Sequence, residues 1–410
     1  HGGSPMSTIK DSVHDHIAVE GVAEALLDTP ALQRLRRITQ LGTASFVYPS
    51  ANHTRFEHSL GVYHLANEAL GHLGIEGPQA ERVRAAALLH DIGHTPFSHN
   101  TEDVLEREAG KSHDDVHDLI RGSPVERVLV DHDIDPDRVA DLIAGDGELG
   151  QLVSGELDVD RMDYLVRDAH HTGVPYGTID HGRLVRELRL VGGELVLAEG
   201  NVQSAESLLL ARALMNPTVY SHHVARISKA MLRRAADELV SEVPVETFRR
   251  WDDYELMVAL REEPATSEYA LRLDERDLFK RAVWAEYADV PDEYITADFD
   301  QRQAWERDIA ARAGVSPDDV ILDVPGEPSM KESSTQVVVN GEVRELGTQS
   351  TLVGALQTVQ REQWRLGVYT PADETDAVGV ATEDVLGLDL DALVVDVRQG
   401  IHQTLDEYGA

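Results

Sequence analysis

The chain has 410 residues, enough for one large domain or two, and its 74 acidic residues outnumber its 37 basic residues to give a formal net charge of −37. Such a charge argues against non-specific nucleic-acid binding, which needs a basic surface that displaces counterions from phosphates. The lack of cysteine excludes disulfides and thiolate metal sites. No apolar run reaches the roughly 18 residues that a membrane-spanning helix needs.

The basic residues are mostly arginine, because lysine occurs at only five positions. An acid-rich, lysine-poor surface is typical of proteins from salt-loving microbes, where concentrated salt screens self-repulsion. We therefore predict a halophilic protein, with an ordinary acidic cytosolic protein as the alternative. The polar stretch after Met6 does not have the pattern of a signal peptide, which indicates a cytoplasmic location. Residues 1–5 are interpreted as a tag remnant from cloning.

The first part of the chain has a helical pattern. From about Val19 to about Val240, apolar residues recur at helical spacing, and turn residues such as Gly77-Pro78 separate the stripes. One β-hairpin is predicted within this region, with strands at Leu188–Val191 and Glu194–Leu197 around two glycines.

The pattern changes after about Pro244. Helices and strands are predicted in chain order at Trp251–Arg261 (helix), Glu275–Ala285 (helix), Val320–Val324 (strand), Gln336–Val339 (strand), Glu342–Glu345 (strand), Leu352–Trp364 (helix), Arg365–Tyr369 (strand) and Leu390–Tyr408 (helix). The sequence therefore predicts a mainly α protein. Its helical body spans residues 6–243, and a smaller C-terminal helical and α+β lobe spans residues 244–410.

Histidines are concentrated in the body, since nine of the 19 lie between His53 and His117. The pair His90-Asp91 follows an apolar helical run and precedes Gly93, which ends or bends that helix. Successive helical residues diverge by about 100°. Both side chains of the pair can therefore reach one ion only if the helix end points at it, with further ligands from other helices.

Two other residues could complete such a site. His58 lies on the inward stripe of one helix, and Asp160 begins another inward-facing stretch. Two imidazoles and two carboxylates suit a divalent transition metal or Mg²⁺, with positions left for water and phosphate oxygens. On spacing alone, a hydrogen-bonded core histidine is the competing interpretation, because His-Asp dipeptides recur elsewhere in this chain.

Longer motifs surround these residues. They are Asp28–Arg36 (DTPALQRLR), Arg55–Gly61 (RFEHSLG), His90–His99 (HDIGHTPFSH) and Asp158–Tyr164 (DVDRMDY). In this order they resemble the deoxynucleoside-triphosphate (dNTP) triphosphohydrolases of the HD superfamily. The likeness covers about half of the chain well and becomes weaker after Val240. It implies a helical HD-domain fold.

The resemblance implies roles for individual residues. The ligands of a divalent ion (Mn, Mg, Fe, Zn or Ni) are His58, His90, Asp91 and Asp160. The catalytic residues are His94 and His113, one of which donates a proton to the leaving 5′-oxygen. The substrate-binding residues are His99 at the α-phosphate, Arg55, Arg161 and Tyr164 at phosphate oxygens, Gln40 and Asp168 at the sugar 3′-hydroxyl, and Tyr220 against the deoxyribose.

The implied reaction converts a dNTP and water to a deoxynucleoside and inorganic triphosphate. The resemblance further implies activation by GTP or dGTP bound at subunit contacts of a homo-oligomer, a tetramer. The matching residues are Asp28, Gln33 and Arg36 for the guanine and Arg276 and Lys280 for its phosphates. Surface salt bridges are the alternative interpretation of these five side chains.

Other functions fit the same metal-binding pattern. An HD-type 5′-nucleotidase or phosphodiesterase would use the same ligands, and a non-catalytic nucleotide sensor could keep the fold. The chain also departs from the vertebrate member of the family. Arg161 and His223 each stand where that enzyme has Lys, and Glu102 stands where it has Asp. These differences concern substrate preference, because none of them removes a proposed metal ligand.

Overall fold

The structure is a computed structural model that describes residues 6–389. The helix predicted at Leu390–Tyr408 and the tag remnant at residues 1–5 lie outside the described residues. The chain begins with an antiparallel hairpin of strands β1 (Met6–Asp11) and β2 (Asp15–Glu20), in which Ile9 pairs with Ile17. Sequence analysis assigned no strand to this segment.

The body is built from helices connected by short turns. They are α1 (Val22–Leu27), α2 (Pro30–Arg34), α3 (Arg55–Leu73), α4 (Gly77–Leu89), α5 (Glu102–Ala109), α6 (His117–Ile120), α7 (Pro124–Asp131), α8 (Pro136–Ile143), α9 (Gly150–Val153), α10 (Val159–Thr172) and α11 (His181–Arg186). Helix α3 is central, because it packs against both α4 and α10. It begins with a capping box in which Thr54 and Glu57 satisfy each other's backbone N–H groups, and it ends at Gly74 in a left-handed conformation.

The middle of the chain confirms the predicted hairpin of β3 (Leu188–Val191) and β4 (Glu194–Leu197). Further helices follow, namely α12 (Val202–Met215), a π-helical turn (Asn216–Tyr220), α13 (His223–Leu239), α14 (Val245–Phe248), α15 (Asp253–Glu262) and α16 (Ser267–Glu275). The helix predicted at Trp251–Arg261 corresponds to α15.

The helix predicted at Glu275–Ala285 is wrong. Helix α16 ends at Glu275, where Arg276 turns into a left-handed conformation with φ of 56°, and Lys280–Glu286 forms strand β5. The register of β5 shifts between Arg281 and Val283, which marks a β-bulge. Because a bulge places an extra residue in the strand, it breaks the strict alternation of buried and exposed residues by which a strand is recognised in sequence.

The C-terminal region confirms the four predicted strands and the predicted helix between the last two of them. Its elements are α17 (Asp292–Ile295), α18 (Phe299–Ala313), β6 (Ile321–Asp323), β7 (Gln336–Val339), β8 (Glu342–Glu345), α19 (Leu346–Gln349), α20 (Thr351–Gln363), β9 (Arg365–Thr370) and α21 (Thr375–Leu386). Strand β9 lies between β5 and β6 in an antiparallel sheet. This sheet packs with α18 and α21 around a second hydrophobic core.

The segment between β6 and β9 returns to the body. Strand β7 pairs in parallel with β4, so that Leu197 lies opposite Val337 in a sheet of order β3-β4-β7-β8. Met330 and Leu356 are buried in the same hydrophobic core as the body helices. The mainly α fold with a smaller α+β part is therefore confirmed. The predicted boundary between residues 243 and 244 stays a prediction, since the body also takes in a segment from beyond it.

Candidate metal centre

Four side chains lie together between α3, α4 and α10, and the ligand atoms of His58, His90 and Asp160 converge within 4.8 Å of one another. His58 is fully buried on α3, His90 ends α4, Asp91 follows it, and Asp160 lies in the first turn of α10. The Oδ1 atom of Asp160 lies 2.7 Å from Nε2 of His58 and 3.3 Å from Nε2 of His90. Asp91 places its two oxygens 3.3 Å from Nε2 of His90 and 3.6 Å from Nε2 of His58. The structure thus brings together all four residues predicted as ligands.

The opposite nitrogens of the two imidazoles have partners of their own. Nδ1 of His58 lies 2.7 Å from a carboxylate oxygen of Asp163, and Nδ1 of His90 lies 2.8 Å from the backbone oxygen of Ala87. When Nδ1 donates a proton to such an acceptor, the lone pair of Nε2 is left for an ion, which is the usual arrangement of metal-binding histidines. The donor set therefore fits a divalent cation.

Asp163 is a functional residue that sequence reasoning missed. Its oxygens also lie 2.7 Å from Nε2 of His14 and 2.9 Å from Nε of Arg167, and Arg167 in turn forms a two-pronged ion pair with Asp11 of the N-terminal hairpin. Asp11, Asp163 and Arg167 are buried, and the His14 side chain is only 2% exposed. The available signal was spacing, because Asp163 follows Asp160 by about one helical turn.

The electrostatics of the site favour a cation. Burial raises the pKa of Asp160, but hydrogen bonds with His58 and His90 lower it by a larger amount. The pKa of Asp160 therefore lies below its ordinary value. Burial likewise disfavours the charged form of His58, yet hydrogen bonds to Asp160 and Asp163 raise the pKa of His58 to about 10. Without an ion, the carboxylates therefore hold a proton on His58. A divalent ion would replace that proton as the neutralising charge.

A second histidine cluster adjoins these residues. His94 stacks on His113 with ring centroids 4.4 Å apart, and His99 meets both rings edge-on. Nε2 of His94 lies 3.1 Å from Asp91, whereas Nδ1 of His94 is buried without a hydrogen-bond partner among the described residues. Glu102 accepts hydrogen bonds from the rings of His99 and His113 and from the backbone of His113.

The two catalytic candidates differ in charge. Burial and the nearby Arg55 hold the pKa of His94 well below its ordinary value, so this imidazole is neutral at neutral pH. Burial has the same effect on His113, but hydrogen bonds to Asp114 and Glu102 outweigh it and raise the pKa of His113 to about 10. At neutral pH, only His113 of this pair is a positively charged imidazolium that can act as a general acid.

The residues predicted at the sugar form a hydrogen-bonded group. Asp168 lies 2.7 Å from Nε2 of His53 and accepts a hydrogen bond of 2.9 Å from the Tyr220 hydroxyl. Gln40 is buried beside them, and its backbone N–H donates to the carbonyl of His53. His53 was missed as an individual residue, although it lies in the histidine-rich stretch. The side-chain oxygen of Gln40 has no hydrogen-bond partner among the described residues.

Arg55 connects this group to the metal ligands. It is buried, and it donates to Asp91 at 3.1 Å, to Ser98 at 2.8 Å and to the backbone oxygen of Gln40 at 3.3 Å. A continuous chain of hydrogen bonds thus runs from the metal ligands to Asp168.

The other predicted phosphate-binding residues lie near α12. Arg161 pairs with Asp158 at 3.2 Å and with the buried Glu332 at 2.9 Å, and Glu332 also forms an ion pair with Arg212. The ring of Tyr164 meets the ring of Tyr220 edge-on, with centroids 6.2 Å apart. Neither Arg212 nor Glu332 belongs to a sequence motif, and only the return of the C-terminal segment to the body brings them together.

The residues predicted to bind an activating nucleotide form two separate groups. Arg36 donates to Gln33 at 2.8 Å and covers the Phe56 ring, and Asp28 is exposed nearby. Arg276 donates to the backbone oxygen of Phe46, and Lys280 is exposed. Within residues 6–389, no hydrogen bond or ion pair joins one group to the other.

Comparison with known proteins gives a consistent result. The family profile of the HD domain matches residues 55–168, and that of the HD associated region matches residues 179–396. An uncharacterized protein of Methanocaldococcus jannaschii is 31% identical, covering 98% of this chain and 88% of its own length. A crystal structure described as a phosphohydrolase from Bacteroides thetaiotaomicron is 28% identical, with a TM-score of 0.71 over 89% of this chain and 99% of its own.

A more distant relative has a named activity. A Dictyostelium discoideum protein named deoxynucleoside triphosphate triphosphohydrolase SAMHD1 homolog is 31% identical over 56% of this chain, which spans 49% of that protein. None of the helices described between residues 6 and 389 is long and apolar enough to cross a membrane.

Proposed function

The chain belongs to the HD-domain phosphohydrolase family, and from that membership we propose that it hydrolyses dNTPs to deoxynucleosides and inorganic triphosphate. The observation that carries the proposal is the hydrogen-bonded chain from Asp91 through Arg55 to the group of Gln40, His53 and Asp168. A metal site alone would serve any phosphate ester, whereas polar groups that can recognise a sugar hydroxyl favour a nucleotide substrate. The name of the Dictyostelium relative supports the same activity.

A divalent ion held by His58, His90, Asp91 and Asp160 would polarise the α-phosphoryl group and orient the attacking water. In the proposed reaction the water oxygen bonds to the α-phosphorus and the bond from phosphorus to the 5′-oxygen breaks. The attacking water gives up a proton to solvent or to the triphosphate product, and the 5′-oxygen needs a proton in turn. We assign its delivery to His113, whose raised pKa keeps it protonated, and assign to the neutral His94 a contact with the α-phosphate.

The remaining residues position the substrate. Asp168 and Gln40 would bind the 3′-hydroxyl, and Tyr220 would lie against the ring carbon that carries no hydroxyl in deoxyribose. Arg161 and Arg212 would bind the phosphate chain. Glu332 forms an ion pair with both guanidinium groups. A bound triphosphate would therefore compete with this carboxylate, and part of its binding energy would be used in displacing it.

We also propose that GTP or dGTP activates the enzyme in a homo-oligomer. Asp28, Gln33 and Arg36 would bind the guanine, and Arg276 and Lys280 its phosphates. Because no hydrogen bond or ion pair joins the two groups among the described residues, the proposal places them on different subunits. This arrangement makes activation and assembly interdependent.

The test is product analysis in high-salt buffer with Mn²⁺ or Mg²⁺. The protein is incubated with dATP, with dGTP and with both, and nucleosides and phosphates are separated. Deoxynucleoside and triphosphate are expected, with dATP cleaved faster when dGTP is present. Monophosphate with pyrophosphate would instead indicate the nucleotidase or phosphodiesterase alternative.

The variant His90→Ala is the matched control. It removes one proposed ligand while leaving the sugar group intact, so we expect lost hydrolysis with retained nucleotide binding. If the wild-type protein binds dNTPs yet cleaves none of them with either metal, the triphosphohydrolase proposal fails and the nucleotide-sensor alternative is favoured.

A further inference from the structure

A cavity of about 830 Å³ lies between the body and the C-terminal sheet. Residues of α12 and α13 form one side, and β5, the segment after β6, and the junction of α20 and β9 form the other. Tyr220 and Arg212 of the proposed substrate site line one end. None of the lining residues belongs to the four sequence motifs that surround the proposed metal ligands.

The charge of this cavity is opposite to that of the whole protein. Seven arginine and lysine residues line it against four aspartate and glutamate residues, whereas in the full sequence acidic residues are twice as numerous as basic ones. Lys229 is one of only five lysines in the chain. In so acidic a protein, a local excess of positive charge indicates a specific anionic ligand rather than a general surface property.

Among residues 6–389, three of the cations form no ion pair with a carboxylate. Arg226 is paired with Asp323 at 2.8 Å, and Arg233 with Asp103 at 3.3 Å. In contrast, no ion pair to Lys229, Arg281 or Arg302 occurs in the part of the chain that the structure describes, and Nε of Arg302 is buried without a hydrogen-bond partner there. Burial lowers the pKa of all three side chains, and Arg233 lowers the pKa of Lys229 and Arg302 further.

Such a group of desolvated cations is costly unless an anion joins it. The ligand must carry several negative charges, because the unpaired cations come from three different elements, α13, β5 and α18. Two arginines already contact the ring of Trp284. The Cζ atoms of Arg226 and Arg281 lie 4.6 and 5.1 Å from its ring centroid. Its ring is therefore occupied, and the cavity suits phosphate groups better than a base.

We propose that this cavity binds an oligophosphate anion through Lys229, Arg281 and Arg302. The anion is either inorganic triphosphate or the triphosphate group of a nucleotide. The charge of the cavity identifies the class of ligand, whereas the choice of triphosphate within that class rests on the proposed function. A site here would hold the phosphate chain outside the metal centre, next to the end of the cavity where Arg212 and Tyr220 lie.

The first experiment uses the rarity of lysine. Metal-free wild-type protein is treated with an amine-acylating reagent, with and without inorganic triphosphate, and each lysine is quantified by mass spectrometry. Acylation of Lys229 is expected to fall when triphosphate is present, while the exposed Lys10 remains equally reactive. Equal acylation of Lys229 in the absence of ligand, with triphosphate and with dATP would overturn the proposal.

The second experiment measures affinity by calorimetry. The double variant Lys229→Gln/Arg302→Gln is expected to bind inorganic triphosphate at this site about tenfold or more weakly, as expected for the loss of charge-assisted hydrogen bonds. The matched control is Arg261→Gln/Arg344→Gln, which removes the same charge from exposed positions that pair with Asp274 and Glu342. An equal loss in both double variants would indicate a general charge effect and would overturn the proposal.

A parallel titration with dATP in the absence of metal separates the two sources. Protection of Lys229 by dATP but not by triphosphate would identify a nucleotide, and the reverse result would identify the free product. The His90→Ala variant keeps this test independent of catalysis. It should lose hydrolysis but retain protection of Lys229, so a failed hydrolysis assay and a failed anion site give different results.

Discussion

At the scale of single residues, Gly61 determines how closely α3 can approach α10. A β-carbon at this position would overlap Oδ1 of Asp163 and lie 2.6 Å from Nη2 of Arg167. These are the groups that hold His58 from behind, so the absence of a side chain at Gly61 allows the hydrogen bond between Asp163 and Nδ1 of His58 to form. The choice of glycine at position 61 therefore affects the orientation of His58, a proposed metal ligand.

We predict that Gly61→Ala weakens divalent-metal binding by about 10–100-fold, the usual effect of disturbing the partner of a metal-binding histidine. Calorimetric titration with Mn²⁺ measures the affinity. Gly71→Ala is the control, because Gly71 lies on the same helix with no atom within 4 Å of the added carbon. That variant should bind metal normally and gain up to about 1 kcal/mol of stability from helix propensity. Equal affinities in the two variants would contradict the prediction.

The four proposed ligands could be selected from sequence because each lies in a motif with a recognisable local pattern. Their supporting residues could not. His14 is 149 positions from Asp163, to which it is hydrogen-bonded, and nothing in either local pattern identifies the partner. Glu332 was missed for the same reason, since its contacts with Arg161 and Arg212 depend on how the C-terminal segment packs on the body.

At the scale of elements, Glu102 joins the start of α5 to the loop that carries His113. Its carboxylate accepts hydrogen bonds from the ring and from the backbone N–H of His113, as well as from His99. The pKa of His113 is raised and that of Glu102 is lowered. Both shifts mean that the folded state favours the charged pair more than the unfolded state does.

This pair predicts a pH dependence of stability. The contribution of His113 is complete below its unfolded pKa of 6.5 and is lost as pH rises towards the folded pKa of about 10. The contribution of Glu102 is present above its unfolded pKa of 4.5 and is lost at lower pH. The variant Glu102→Gln removes the pair. It should therefore lower the free energy of unfolding most between pH 4.5 and pH 6.5, by about 2 kcal/mol, and less at pH 9.5.

Urea unfolding of the metal-free wild-type protein and the Glu102→Gln variant at pH 5.5 and pH 9.5 gives the two differences. A difference in the free energy of unfolding that is the same at both pH values, or larger at pH 9.5, would show that the ion pair with His113 does not stabilise the fold.

Strands were predictable where turn chemistry and alternation agree, as in β7 and β8 around Asn340-Gly341, and the predicted and observed bounds of both coincide. Strand β5 was not, because its bulge interrupts the alternation. The N-terminal hairpin was missed because its alternation is short: the buried residues of β2 are limited to Ile17 and Val19.

At the scale of the whole molecule, the charge of −37 is the dominant property. Like charges repel over a Debye length of about 10 Å at 0.1 M salt but only about 3 Å at 1 M. Folding brings these charges closer together than they are in the unfolded chain. The folded state should therefore depend on salt more strongly than that of a protein with balanced charge.

We predict that thermal unfolding shifts upward by about 5 °C or more between 0.2 and 2 M KCl, equivalent to roughly 4 kcal/mol for a chain of this length. Calorimetry in a KCl series measures the shift. Sucrose at equal osmolality is the control, because it stabilises by exclusion without screening charge. A protein that unfolds at the same temperature throughout the series would not be halophilic in the predicted sense.

The return of the C-terminal segment to the body has a consequence for how the protein is made. The ribosome releases the residues from His58 to Asp160 early, and these suffice to assemble the four proposed ligands between α3, α4 and α10. Glu332, which forms ion pairs with Arg161 and Arg212, emerges some 170 residues after Arg161. Arg161 can pair with Asp158 as soon as both residues have emerged, whereas the ion pair of Arg212 with Glu332 must wait for the C-terminal segment. We therefore expect the four proposed ligands to be available to an ion before the phosphate site is complete.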